Sequence, residues 1–196
     1  EYLMKDVAGK VLEKMSDRDM ESDEADAISK IVGLAAVKYG DLSNQATKDY
    51  NFDIDRFASF EGNTGPYILY TMVRIRSILE KCGIRVSEEG IGTNDVNALD
   101  ALTADRVVTG SERELLLGLT GYAPALRHAA DELAPHKLCT FIYELSDKFN
   151  SFYHENKIIS ESDTGLKNAW ITLIGITYRA LAHFLELLAI AVPDKM

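Results

Sequence analysis

The stretch SFEGNTGPYILYTMVRIRSILEKCG, Ser59 to Gly83, decides the reading of this chain. A glycine-bearing loop runs into Pro66, whose missing N–H is no loss in a first helical turn. Thr64 or Asn63 is placed to cap that turn, and Gly83 to end the helix in the left-handed conformation. The spacing between them predicts a helix from Pro66 to about Cys82. Tyr67 and Tyr70 stand one turn apart at its head, with Arg74 and Arg76 further along. From Asn63 to Arg85 the cations Arg74, Arg76, Lys81 and Arg85 face only Glu80, in a chain whose formal net charge is -10. The acids gather elsewhere, in Asp17 to Asp26 and after Ile84.

Helical spacing extends in both directions. Leu3, Met4, Val7, Ala8, Val11, Leu12 and Met15 predict a first helix. A second is expected from near Asp23 to about Tyr39, with Ile28, Ile31, Val32, Ala35 and Tyr39 facing inward. The period then breaks in a connector that carries one short helix at its end. Ile84 to Gly110 is polar and acidic and reads as a variable insertion. Ser111 to Glu114, SERE, has the form of a capping box and opens a helical stretch to about Leu133, bent near Gly121 and Pro124. Pro135 starts a helix striped by Leu138, Phe141, Ile142, Leu145, Phe149 and Phe152. The last helix, about Asp163 to Ile190, is striped by Trp170, Leu173, Ile174, Thr177, Leu181, Phe184, Leu185 and Leu188.

Nothing alternates convincingly at period two, so the expected fold is all-α, a bundle of about six helices. Residues 1–196 read as one helical domain. Its parts are a helical pair (1–43), a connector and loop (44–65), the tyrosine/arginine helix (66–83), the acidic insertion (84–110) and C-terminal helices (111–196).

Composition narrows the function classes. The hydrophobic share of 46% with 27% charged residues suits one sizeable core in 196 residues. Cys82 and Cys139 have no CxxC partner, so zinc and thioredoxin-like readings lack support and a reducing compartment is expected. The opening EYLMKDVAGK has no basic region before an apolar run, so no signal peptide is expected. Ala169 to Val192 is the most apolar segment, but Arg179, His183 and Glu186 interrupt it, which suits a buried helix rather than a membrane span. His128, His136, His154 and His183 lie on separate stretches without the Glu-x-x-His pairs of a di-iron bundle. No GxSxG, P-loop or dinucleotide fingerprint occurs, so no catalytic residue and no metal site is expected here.

Read whole, the chain resembles the C-terminal anticodon-binding domain of arginyl-tRNA synthetase, a class I aminoacyl-tRNA synthetase. The resemblance rests on blocks in order: AVKYGDLS (Ala36 to Ser43), DYNFDIDRFASFEGNTGPYILY (Asp49 to Tyr70), RIRSI (Arg74 to Ile78), YELSDKFNSFY (Tyr143 to Tyr153) and the ending LELLAIAVPDKM. It implies a helical anticodon-binding domain of a ligase that joins L-arginine to its tRNA with ATP. ATP (with Mg) and arginine would be substrates of the full-length enzyme, with no cofactor in this chain. The catalytic domain would lie before Glu1 and be a partner, the whole monomeric and cytoplasmic. Carried over residue by residue, the anticodon loop would be held by the loop Ser59, Phe60, Glu61, Gly62, Asn63 and Thr64, by Tyr67 and Tyr70, by Tyr153 and by Met196. Arg74 and Arg76 would add supporting charge. KMSDRD, Lys14 to Asp19, is similar to the start of the KMSKS signature of class I synthetases. Met15 continues the apolar stripe of the first helix and Asp17 and Asp19 repel phosphate, so it is read as coincidence.

Physical chemistry makes such a site workable despite the acidic total. RNA is read mostly through unpaired bases, stacked on aromatics and hydrogen-bonded at their edges. Stacking contributes about 1–3 kcal/mol per base, so a few tyrosines outweigh a basic face. Tyrosines three apart on a helix are also ordinary core packing. The competing reading is a protein-interaction bundle that kept the fold without binding tRNA.

Overall fold

Helices form where the apolar spacing places them. The computed structural model describes residues 2–15, 20–87, 90–91 and 109–196. α1 (Tyr2–Lys14) and α2 (Ser22–Leu42) form the leading pair, and α3 (Ile54–Phe57) is the short helix closing the connector. The central helix α4 (Gly65–Lys81) follows. Beyond it, β1 (Val86–Ser87) pairs antiparallel with β2 (Gly90–Ile91) in the register Val86↔Ile91 and Ser87↔Gly90. Two-residue strands are too short to carry a period, so this pair has no signature in the residue pattern. α5 (Gly110–Thr120), α6 (Tyr122–Asp131), α7 (His136–Glu155), a 3₁₀ turn (Ile158–Ser160) and α8 (Thr164–Leu187) complete the described elements. The rest of the insertion expected at 84–110, and Ser16 to Asp19 of KMSDRD, lie outside the described residues.

Helix ends follow their capping chemistry. Thr64 Oγ1 accepts from Tyr67 N at 3.3 Å and caps α4. At the other end Gly83 has φ +85, and the bonds Ile84 N to Leu79 O and Gly83 N to Glu80 O, both 3.0 Å, close a Schellman motif. α5 corrects the expected capping box. Thr109, not Ser111, caps it by accepting from Glu112 N at 3.1 Å, which shifts the Thr-x-x-Glu frame two residues toward the N-terminus. Ser111 and Glu112 are buried inside the first turn instead.

One core runs through the bundle, from Val11 and Met15 to Leu188 and Ile190. Every apolar position expected on α7 and α8 is buried. α1 and α2 hold the exceptions: Leu3 and Ile31 are exposed. At about 100° per residue, Ile28, Val32, Ala35 and Tyr39 share a face with Ser29, Gly33, Ala36 and Gly40, all buried. Those small residues draw the neighbours in on their side, and Ile31 is left on the far edge. A Cβ on Gly33 would lie 2.9 Å from Ala8 Cα, and one on Gly40 2.9 Å from the Phe57 ring.

The closest approach sets the position of α4. A Cβ on Gly65 would lie 2.6 Å from Ala35 O, so the head of α4 rests directly on the backbone of α2. Gly65→Ala is therefore expected to force the two helices apart and destabilise the chain by about 1–3 kcal/mol. Thermal unfolding checks it; an unchanged midpoint would show that this contact yields freely.

Candidate nucleic-acid interface

The loop before α4 is closed by its own hydrogen bonds. Thr64 Oγ1 donates to Ser59 O at 2.5 Å, Ser59 Oγ accepts from Glu61 N at 3.1 Å, and Thr64 N donates to Gly62 O at 3.0 Å. Gly62, at φ +76, takes the left-handed turn that a side chain would resist. This leaves Glu61, Gly62 and Asn63 exposed at the tip, while Phe60 packs against the core. Asn63 also reaches inward: its Oδ1 lies 2.7 Å from the Tyr39 hydroxyl, which donates to Cys139 O at 2.9 Å. Tyr39 is fully buried and burial holds its phenol neutral, so it pins the loop tip to α2 and α7 together. The helix N-terminus itself offers little. Pro66 has no N–H, and that of Tyr67 is taken by Thr64.

On α4, Tyr67, Tyr70, Thr71 and Arg74 recur at helical spacing and face Asn150 and Tyr153 of α7. Arg74 joins the two helices. Its guanidinium carbon lies 4.7 Å from the Tyr70 ring centroid and 5.4 Å from that of Tyr153, and its Nη1 donates to Asn150 Oδ1 at 2.7 Å. Both rings are within the reach of cation–π attraction. Tyr153 in turn stacks on Phe149, with centroids 6.2 Å apart, so the fully buried Phe149 forms its floor. Tyr67 is half-buried beside Tyr143, at 5.9 Å between rings, and burial is the main cause of its raised pKa. The structure thus brings Tyr67, Tyr70, Arg74 and Tyr153 onto one partly exposed surface.

Arg76, expected beside Arg74 as supporting charge, is turned inward. Two residues along a helix point to opposite sides. Its side chain is buried, pairs with Asp194 and with Glu80 at 3.3 Å, and donates to Val86 O at 2.9 Å. Its charge is spent within the fold, and the cation left on this surface is Arg74. Arg76 instead holds the end of the chain. After α8, Ala189 turns in the left-handed region at φ 52 and Lys38 Nζ donates to its carbonyl at 2.5 Å. Lys195 pairs with Glu24 at 2.6 Å. Residues 194 and 195 are therefore tied to α4 and α2, and Met196 packs partly buried against the core.

Two contributions were missed from sequence. Asn150, inside FNSFY, bridges Arg74 and Tyr67; its place three residues before Tyr153 was the available signal. The tie from Asp194 to Arg76 spans most of the chain and left no local pattern. Among the described residues no group of His, Cys, Asp or Glu is arranged to hold a metal, and no helix is long and apolar enough to cross a membrane.

Residues 68–196 match the family model described as DALR anticodon binding domain, and residues 3–54 match that described as tRNA synthetases class I (R), catalytic domain. The chain belongs to the DALR anticodon-binding domain family as it occurs in arginyl-tRNA synthetases. It is 46% identical to the arginine–tRNA ligase of Agathobacter rectalis over 100% of its own length and 33% of that protein's. With the arginine–tRNA ligase of Alkaliphilus oremlandii the identity is 50%, over 88% of this chain and 28% of the relative. Thermus thermophilus arginyl-tRNA synthetase superposes with a TM-score of 0.82 at 25% identity, covering 100% of this chain and 32% of that one. The chain thus spans about a third of the relatives it matches.

Proposed function

We propose that this chain holds the anticodon loop of arginine tRNA, as the recognition part of a cytoplasmic, monomeric arginine–tRNA ligase. The observation that carries this reading is the Tyr70–Arg74–Tyr153 cluster, two rings and a guanidinium on one surface, beside an exposed glycine-bearing loop. Unstacked bases find rings to stack on, and Arg74 supplies a planar cation for a base edge or phosphate. Glu61, Gly62 and Asn63 reach the loop from one side, with Ser59, Phe60 and Thr64 shaping their turn. Met196, on a tail fixed through Asp194 and Lys195, is the further contact that the family resemblance implies. Arg76 serves here by holding the tail rather than by touching RNA. The described residues act as one packed unit, α1 and α2 included, since both helices share the core with the later ones.

The ligase chemistry, with ATP, Mg and L-arginine as its reactants, needs the portion of the relatives outside this chain's span, since only residues 3–54 here match the catalytic-domain model. The purified chain is accordingly expected to show no ATP-dependent charging of tRNA with arginine, and to bind arginine tRNA in preference to another tRNA by filter binding. Charging by the chain alone, or equal retention of both tRNAs, would contradict this.

A further inference from the structure

The hydrogen bonds between α4 and α7 have a direction, and Arg74 sets it. A guanidinium only donates, so the atom of Asn150 that faces Arg74 Nη1 at 2.7 Å must be the carbonyl oxygen. The amide nitrogen then points the other way. It donates one hydrogen to Tyr67 Oη at 2.8 Å and the other to Thr71 Oγ1 at 3.2 Å. The Thr71 hydroxyl is free to accept because its own hydrogen goes to Tyr67 O at 3.0 Å. Every polar atom of the Asn150 side chain is used, and no alternative orientation of the amide satisfies Arg74. Tyr67 Oη therefore accepts inside the protein. It has no other hydrogen-bond partner among the described residues.

We propose that Asn150 is a positioning residue that turns the Tyr67 hydroxyl hydrogen outward, as a donor to an acceptor atom of the bound RNA. This rests on the RNA-binding reading above. The consequence is a donor-rich patch: Tyr67, whose oxygen already accepts from Asn150, and Arg74 both offer hydrogens. Such a surface favours a base carbonyl, a ring nitrogen or a phosphate oxygen and disfavours an exocyclic amine. The raised pKa of Tyr67, due mainly to burial, keeps the phenol protonated for this task.

The test reverses the polarity. In Asn150→Asp the carboxylate still pairs with Arg74 but can only accept, so the Tyr67 hydroxyl swings its hydrogen inward. Affinity of this chain for an arginine tRNA transcript is measured for Tyr67→Phe, Asn150→Asp and the double variant, with unfolding midpoints alongside. Tyr67→Phe is expected to weaken binding about three- to tenfold, the range for one net hydrogen bond. Asn150→Asp is expected to weaken it more in the parent than in the Tyr67→Phe background, where only the added charge acts. An equal loss in both backgrounds overturns the proposal. Transcripts with single anticodon-loop bases lacking an acceptor, or with single methylphosphonates, then name the source. The Tyr67→Phe effect vanishes at one base if a base accepts, or at one linkage if a phosphate does; persistence throughout both series also overturns it. A titration without RNA separates this from the functional reading. In Asn150→Leu the Tyr67 Cζ signal, followed by ¹³C NMR, should titrate at higher pH because the phenolate has lost a donor. An unmoved or lowered midpoint refutes the polarity, whereas a chain that ignores arginine tRNA while passing this titration refutes only the function.

Discussion

Tyr70→Ala, introduced into the full ligase, is expected to weaken the use of arginine tRNA about ten- to hundredfold while moving the unfolding midpoint little. Tyr70 is half-buried and its ring lies against the Arg74 guanidinium, not within the core. One lost base stack is worth about 1–3 kcal/mol, which sets the size of the effect. Truncation also frees Arg74 on one side, so part of the loss comes from a less ordered cation. Tyr70→Phe keeps the ring and is expected to cost less. A core tyrosine would behave otherwise, with a loss of several kcal/mol in stability that hurts every activity alike. Paired measurements of midpoint and tRNA affinity decide between them. An unchanged affinity with a collapsed midpoint would return Tyr70 to the core and leave the loop Ser59 to Thr64 as the better candidate.

Phe149→Ala is the complementary case, and its main effect is on stability. Phe149 is fully buried and carries the Tyr153 ring on its outer face. Removing a buried aromatic costs about 3–5 kcal/mol, and at roughly 2–4 °C per kcal/mol for a chain of this size the midpoint should fall by about 6–20 °C. Below that lowered midpoint, tRNA affinity should also drop, because Tyr153 loses its floor. Calorimetry and binding at low temperature read the two separately. A midpoint within a degree or two of the parent would mean that the cavity closes, and Tyr153 would then need another support.

The two variants show where sequence reading works. Phe149 was legible as one tooth of a helical stripe, because burial repeats at the helical period. So were the helices, the Thr64 cap and the Gly83 stop, each fixed by neighbours a few residues away. What failed depends on partners distant in the chain. Ile31 was misplaced because the face of α2 is set by how closely α1 and Phe57 approach its small residues. The cap at Thr109 was missed because two Thr/Ser frames overlap, and only burial of Glu112 chooses between them. In the interface, Tyr67, Tyr70 and Tyr153 came from the resemblance and Arg74 from local charge. Arg76 looked equivalent to Arg74 in sequence, yet α4 sends it toward Asp194, more than a hundred positions away.

The central claim is that this surface reads an anticodon loop, and one comparison tests it most directly. A hairpin carrying only the anticodon stem and loop of arginine tRNA is titrated with this chain, beside the same hairpin with its anticodon bases replaced. The arrangement of Tyr67, Tyr70, Arg74 and Tyr153 predicts binding of the first at least about tenfold tighter than the second, the worth of one or more specific stacked bases. Equal affinity for the two hairpins, or none for either, would contradict it.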